Sequence, residues 1–226
     1  MAEPTYSVEK ECPVCQKQFS VTRLRSRQVM VKQDSDFCAY FQDVKPYYYT
    51  IWVCSHCGYA AADTCFDELS SAAQDKIAKF LSGRDVNINF GGERTRGQAI
   101  ATYKLAIFFA DLISAPASRL AELYLKLGWV YRDGEDNEEE KTALAKACEY
   151  YEQALMRERL PIGTLSEAAV TYLIGELARR TGQNDKALSY LGKVVGSPAA
   201  KLEPRVTNLA RDAWHEARAA RDQADS

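Results

Sequence analysis

Cys12-Pro13-Val14-Cys15 and Cys54-Ser55-His56-Cys57-Gly58 stand 38 residues apart in a chain of 226 residues that has only seven cysteines. A two-residue spacer lets both sulfurs of a pair reach one ion from a tight turn, and two such pairs supply the four thiolates of a closed tetrahedral site. Cys12, Cys15, Cys54 and Cys57 are therefore the expected metal ligands, with zinc as the first expectation and iron, which accepts the same spacing, as the lesser one. The competing reading is a set of unligated thiols or a reversible dithiol switch, which would make the protein a thiol redox sensor. A long spacer does not exclude one site. Loop-closure entropy grows only with the logarithm of length, so the interval costs roughly 1 kcal/mol more than one half as long.

Working outward, Phe19 to Lys32 alternates as a strand does and is rich in Val, Thr and Arg; Tyr47 to Cys54 reads as another strand. Gly58 follows the second pair, where a metal-binding knuckle needs positive φ; Gln16 holds the corresponding place after the first. Strands on both sides of the pairs favour a zinc ribbon over a treble clef, in which the second pair would open into a helix. His56 reads as an exposed knuckle residue. Cys38 and Cys65 can sit near the metal or pack as small hydrophobes, and Cys148 belongs to a helix core.

Beyond Leu69 the pattern becomes helical. Leu69 to Leu81 is a first helix with Ser70 or Ser71 as its cap, and Gly83 to Gly97 is a polar, glycine-bearing connection. Arg205 to Arg221 places Val206, Leu209, Ala210, Ala213, Trp214 and Ala217 on one stripe, as a terminal capping helix does. The tract 133–140 carries six carboxylates in eight residues without metal-loop spacing, and is expected as a solvated insertion. The fold class expected is α+β, mostly α. The segments are a small β zinc-ribbon-like head with a four-cysteine metal site at 8–66, a helix and linker at 67–94, and an α-helical tetratricopeptide-like repeat stack at 95–226.

Those helices resemble tetratricopeptide units. Leu127-Gly128, Tyr131, Ala147, Tyr151 and Ala154 form one match, and Ile174-Gly175, Ala178, Ala187, Leu191 and Val194 a second; Ala99, Tyr103 and Ala106 look like part of an earlier one. Gly128 and Gly175 are 47 residues apart, where the family repeats about every 34, so the first unit is degenerate. The resemblance implies a groove whose contacts with a protein or peptide fall on Leu125, Trp129, Arg132, Tyr172, Glu176 and Arg179. The lysine and asparagine set with which some tetratricopeptide proteins clamp a terminal carboxylate is missing.

Cys12-Pro13-Val14-Cys15, Asp34-Ser35-Asp36-Phe37-Cys38, and Trp52-Val53-Cys54 through Cys57-Gly58-Tyr59-Ala60-Ala61 together resemble a bacterial family, domain of unknown function 2225. That resemblance covers nearly the whole chain. It implies a bacterial cytoplasmic protein with a zinc-ribbon-like head and a tetratricopeptide-like tail, and it brings no activity.

Composition narrows the functions. A formal charge of -2 sets up no global attraction for nucleic acid or an acidic membrane. Locally, Arg23, Arg25 and Arg27 with Lys17 and Lys32 make 16–33 carry +5, next to Tyr40, Phe41, Tyr47, Tyr48, Tyr49 and Trp52, so a nucleic-acid-binding strand is the alternative to a protein-binding adaptor. Pairing of those arginines across the sheet is the plainer reading. Met1-Ala2-Glu3-Pro4 lacks a basic start before an apolar run, so no signal peptide or membrane association is expected, and thiolate pairs suit a reducing cytoplasm. No nucleotide-binding glycine loop, metalloprotease helix motif or serine elbow is present, and four thiolates leave a metal no open position, so the expectation is a non-enzyme.

Overall fold

Each cysteine pair lies in the turn of an antiparallel hairpin. A computed structural model describes residues 4–25, 28–84, 86 and 88–224. In it β1 (Thr5–Glu11) pairs with β2 (Gln18–Leu24), β3 (Met30–Gln33) with β4 (Ala39–Phe41), and β5 (Ile51–Val53) with β6 (Ala60–Ala62). The register runs from Thr5 opposite Leu24 to Glu11 opposite Gln18 in the first hairpin, and Val53 faces Ala60 in the third. Seven helices complete the described residues: α1 (Ser71–Leu81), α2 (Arg96–Leu112), α3 (Ala117–Arg132), α4 (Asn137–Arg157), α5 (Glu167–Arg180), α6 (Asn184–Gly196) and α7 (Pro204–Ala224). The chain is α+β and mostly α, with its strands toward the N-terminus.

Two strand expectations are corrected. The run from Phe19 to Lys32 is not one strand, because β2 ends at Leu24 and β3 starts at Met30. Tyr47 to Cys54 is not continuous either. Pro46 pre-sets the φ of a 3-10 turn over Pro46–Tyr48, and only Ile51–Val53 remains extended. Helix starts follow their caps more closely: Ser70 accepts from the Ala73 N–H, and Thr95 and Gln98 form a reciprocal capping box at α2.

The chain divides into two units. Unit 1 comprises Met1–Gln33, Ala39–Ala115 and Trp129–Asp136; unit 2 comprises Asp34–Cys38, Pro116–Gly128 and Asn137–Ser226. In unit 1, α2 packs on the β5–β6 hairpin, and its Tyr103, Ala106 and Phe109 are buried. Tyr59 is central there, its ring 4.9 Å from Phe66 and 5.6 Å from Phe109. Rings of this size dominate the core because each removes a large apolar area from water.

In unit 2, α5 is the central helix and packs against α4, α6 and α7. Every residue from Ala169 to Ala178 on it is buried, as its nearly unbroken apolar run dictates. Glycine permits two close approaches. A Cβ added at Gly175 would lie 2.6 Å from Leu191, and one at Gly128 would lie 2.7 Å from Leu144. Glycine and leucine are sixteen residues apart in both cases (191 minus 175 and 144 minus 128), so the same helix-to-helix junction is built twice.

The acidic tract is more ordered than a solvated insertion. Glu138, Glu139 and Glu140 form the first turn of α4, where carboxylates complement the helix dipole. Within unit 1, Asp136 pairs with Arg96, and Asp133 accepts from Lys45 and from the Tyr48 hydroxyl.

Candidate metal centre

The two cysteine turns have one backbone design. Gln16 donates its N–H to the Cys12 carbonyl at 2.8 Å and Gly58 donates to Cys54 at 2.9 Å; Cys12 donates to Lys17 at 3.0 Å and Cys54 to Tyr59 at 2.8 Å. Both residues after a second cysteine have positive φ, 59° at Gln16 and 80° at Gly58. The tight turn turns both sulfurs of each pair inward. Glycine meets this backbone demand without strain, whereas glutamine accepts some.

All four sulfurs lie within 4.8 Å of one another. Cys12 Sγ is 3.7 Å from Cys57 Sγ, and Cys15 Sγ is 3.7 Å from Cys54 Sγ. Those separations exclude disulfides, whose sulfurs are bonded at about 2.05 Å. They match a tetrahedron with metal–sulfur arms of about 2.3 Å, whose edges are about 3.8 Å. Cys12 and Cys54 are wholly buried while Cys15 and Cys57 are half-buried. The four cysteines can therefore hold one metal ion.

Sulfurs this close compete for protons. Hydrogen bonds from Cys12 and then Cys57 hold Cys54 down at about 2. Its hydrogen bond to Cys54 pushes Cys12 up to about 12, and hydrogen bonding to Cys12 and Cys54 also raises Cys57. A cation at the centre would relieve this by stabilising all four thiolates together.

His56 is exposed, with Nε2 2.9 Å from the Gln18 carbonyl, and it lies outside the sulfur cluster as expected. Among the described residues the cluster comprises those four cysteines; Cys38, Cys65 and Cys148 are buried elsewhere. Cys148 donates to the Ile174 carbonyl at 3.5 Å inside unit 2.

The basic strand is interrupted. Arg23 is exposed on β2 and lies 5.7 Å from the Trp52 ring centre, whereas Arg25 follows the end of β2 and stands 5.7 Å from Tyr6. Arg27 lies outside the described residues. The alternation that placed three arginines on one strand face thus extends only through Leu24.

The groove residues that the tetratricopeptide resemblance implies divide between burial and partial exposure. Leu125, Tyr172 and Glu176 are buried in unit 2; Trp129, Arg132 and Arg179 are half-buried. Trp129 packs edge-on to Tyr47 within unit 1. Around α5 the reason for burial is local: Asp34–Cys38 belongs to unit 2 and covers that face. Tyr172 donates its hydroxyl to the Ser35 carbonyl at 2.7 Å, its ring lies 5.6 Å from Phe37, and Ser35 donates to Glu176 at 2.6 Å. Arg179 donates to Glu176 through Nε and Nη2, both at 2.8 Å, and Arg180 through Nε at 2.7 Å. Arg180 also donates to the Ser35 hydroxyl and lies 3.9 Å from the buried Asp36 carboxylate. The helical period of 167–180 carries no sign of this cover, because the covering residues come from 129 or more positions earlier (167 minus 38).

Taken together these features define an α+β protein in which two equivalent hairpin knuckles converge four cysteines ahead of a set of packed helices. The family model for uncharacterized proteins conserved in bacteria, DUF2225, matches residues 5–217, and the chain belongs to that family. No curated protein and no solved structure matches it. Among the described residues no helix is long and apolar enough to cross a membrane.

Proposed function

We propose that the protein is a non-enzymatic adaptor whose head is fixed by structural zinc and whose helical part offers repeat-type surfaces to protein partners. The observation that carries the zinc reading is the pair of equivalent knuckles with four sulfurs within 4.8 Å. Cys12, Cys15, Cys54 and Cys57 would hold the ion, and four thiolates leave it no position for water or substrate. Bound there, the ion cross-links two hairpins that each have too few strands to be stable alone. The tetratricopeptide-like reading is supported by the junction repeated at Gly128 with Leu144 and Gly175 with Leu191.

Two measurements test the proposal. Elemental analysis of the purified chain should return one zinc per protein, and neither Cys12→Ser nor Cys57→Ser should retain it; full zinc in both variants would remove the four-cysteine site. Affinity capture from bacterial lysate, with and without nuclease, addresses the partner. Discrete proteins retained after nuclease support the adaptor, and recovery that depends on nucleic acid transfers the assignment to the Arg23 and Arg25 region.

A further inference from the structure

Arg94 lies in unit 1 on the glycine-bearing loop that leads into α2, and its side chain is only 6% exposed. Its Nε donates to the Phe90 carbonyl at 3.0 Å, and its Nη1 donates to the carbonyls of Tyr48 at 2.9 Å and Ile51 at 2.7 Å. The Tyr49 ring, 5.8 Å away, adds a cation–π contact. Those acceptors are all neutral. Among the described residues no carboxylate pairs with this guanidinium, and burial lowers it to about 10. A cation removed from water without a counter-ion is unfavourable, so the fold keeps in place a charge that it does not itself neutralise.

One corner of the group remains open. Nη2 has no acceptor among the described residues, yet no fully buried side-chain nitrogen or oxygen there lacks a partner, so Nη2 faces accessible space. Two cavities have Arg94 in their walls, one of about 250 Å³ and one of about 690 Å³. Only the larger falls within the usual range for small-molecule sites, roughly 300–1,000 Å³. Phe41, Val44, Tyr48 and Tyr49 contribute apolar and aromatic wall. Gly92, at φ 75°, borders it with nothing within 4 Å of where a Cβ would stand.

The remaining charges around the cavity limit what fits. Lys45 is already engaged by Asp133. Asp43 and Glu93 also line the wall and would repel a polyanion such as a nucleotide. We propose that this cavity binds a small organic monoanion, a carboxylate on an apolar or aromatic body, with Arg94 Nη2 donating to the carboxylate and the tyrosine-lined wall holding the body.

The test is a nuclear magnetic resonance titration of the full, metal-loaded chain with benzoate, following the Gly91 and Gly92 amides and the Arg94 Nε–H. Saturable shifts confined to these signals are expected, with at least a tenfold weaker response to benzamide, the neutral isostere, and to inorganic phosphate. Val44→Trp fills the cavity while leaving the carbonyl partners of Arg94 in place, and it should abolish the benzoate response. No saturable shift with benzoate overturns the proposal. So does a benzamide or phosphate response as strong as that of benzoate, or an undiminished benzoate response in Val44→Trp.

Discussion

Replacing Glu176 by alanine removes the acceptor on which four donors converge: two from Arg179, one from Arg180 and the Ser35 hydroxyl. The carboxylate is 0% exposed while the two arginines are 22% exposed, so the pair is shielded on the acidic side and only partly solvated on the basic side. Hydrogen bonds to a charged group contribute roughly 1.5–3 kcal/mol each, but four sharing one carboxylate do not add. Breaking a buried ion pair from one side costs about 3–5 kcal/mol. Asp36 lies 3.9 Å from Arg180 and retains part of the attraction, which places Glu176→Ala at the lower end, about 3 kcal/mol. With a urea dependence of about 1–3 kcal/mol per molar, the unfolding midpoint followed by circular dichroism at 222 nm should fall by about 1–3 M. A loss under about 1 kcal/mol, the size of a solvent-exposed pair, would refute the reading of this cluster as a desolvated network.

Other outcomes follow from the same geometry. Burial pushes Glu176 up, but hydrogen bonds from Arg179 and Ser35 and the charges of both arginines outweigh it and leave the carboxyl below its ordinary 4.5. Its stabilising contribution is therefore complete above 4.5 and is lost as pH falls through the lowered folded value; Glu176→Gln should flatten acid destabilisation in that window, read from urea midpoints against pH. Gly175→Ala should destabilise by about 1–3 kcal/mol in spite of alanine's better helix propensity, because the new Cβ overpacks Leu191. Gly128→Ala should cost less, since its closest neighbours are side-chain atoms, whereas Gly175 also faces the Leu191 backbone nitrogen at 3.2 Å; equal or stabilising effects in thermal melts would contradict the close-packing account. Removing the metal with a chelator should abolish dispersion of the β1, β2, β5 and β6 amide signals while most helical ellipticity remains, and an unchanged amide spectrum would show that the hairpins do not depend on it.

Much of the site was legible because its chemistry is local. Each cysteine pair carries its own turn, and Gly58 announces the positive φ that the turn needs. That Gln16 adopts the same conformation follows from the matching hydrogen bonds around Cys12, which no residue preference at that position reveals. Helices were legible where caps and apolar stripes agree, as at Ser70 and along α7. Strand length was not. Alternation over 19–32 and aromatic richness over 47–54 continue through a break in one case and through a proline-started turn in the other. Arg94 was hidden for a different reason: it sits in a stretch of glycine and polar residues that reads as a connection, and only the carbonyls of Tyr48, Ile51 and Phe90 show it to be buried.

The α5 face bears most directly on how the proposed adaptor would work. A peptide binding there in trans would have to replace Ser35, Asp36 and Phe37 together, because Tyr172, Glu176 and Arg180 all contact that one segment. The resident segment has the advantage of covalent attachment, which sets an effective concentration in the millimolar range for a short linker. A free synthetic peptide of residues 30–42 carries the same contacts and none of that advantage. Labelled with a fluorophore and titrated with the intact chain, it should show no anisotropy change at chain concentrations below about 1 mM. Micromolar binding would mean that the resident segment leaves the α5 face readily, so that Tyr172 and Glu176 become accessible to a partner. Absence of binding directs the search for partner surfaces to exposed residues of α3, α4, α6 and α7, where no segment of the chain has to be displaced first.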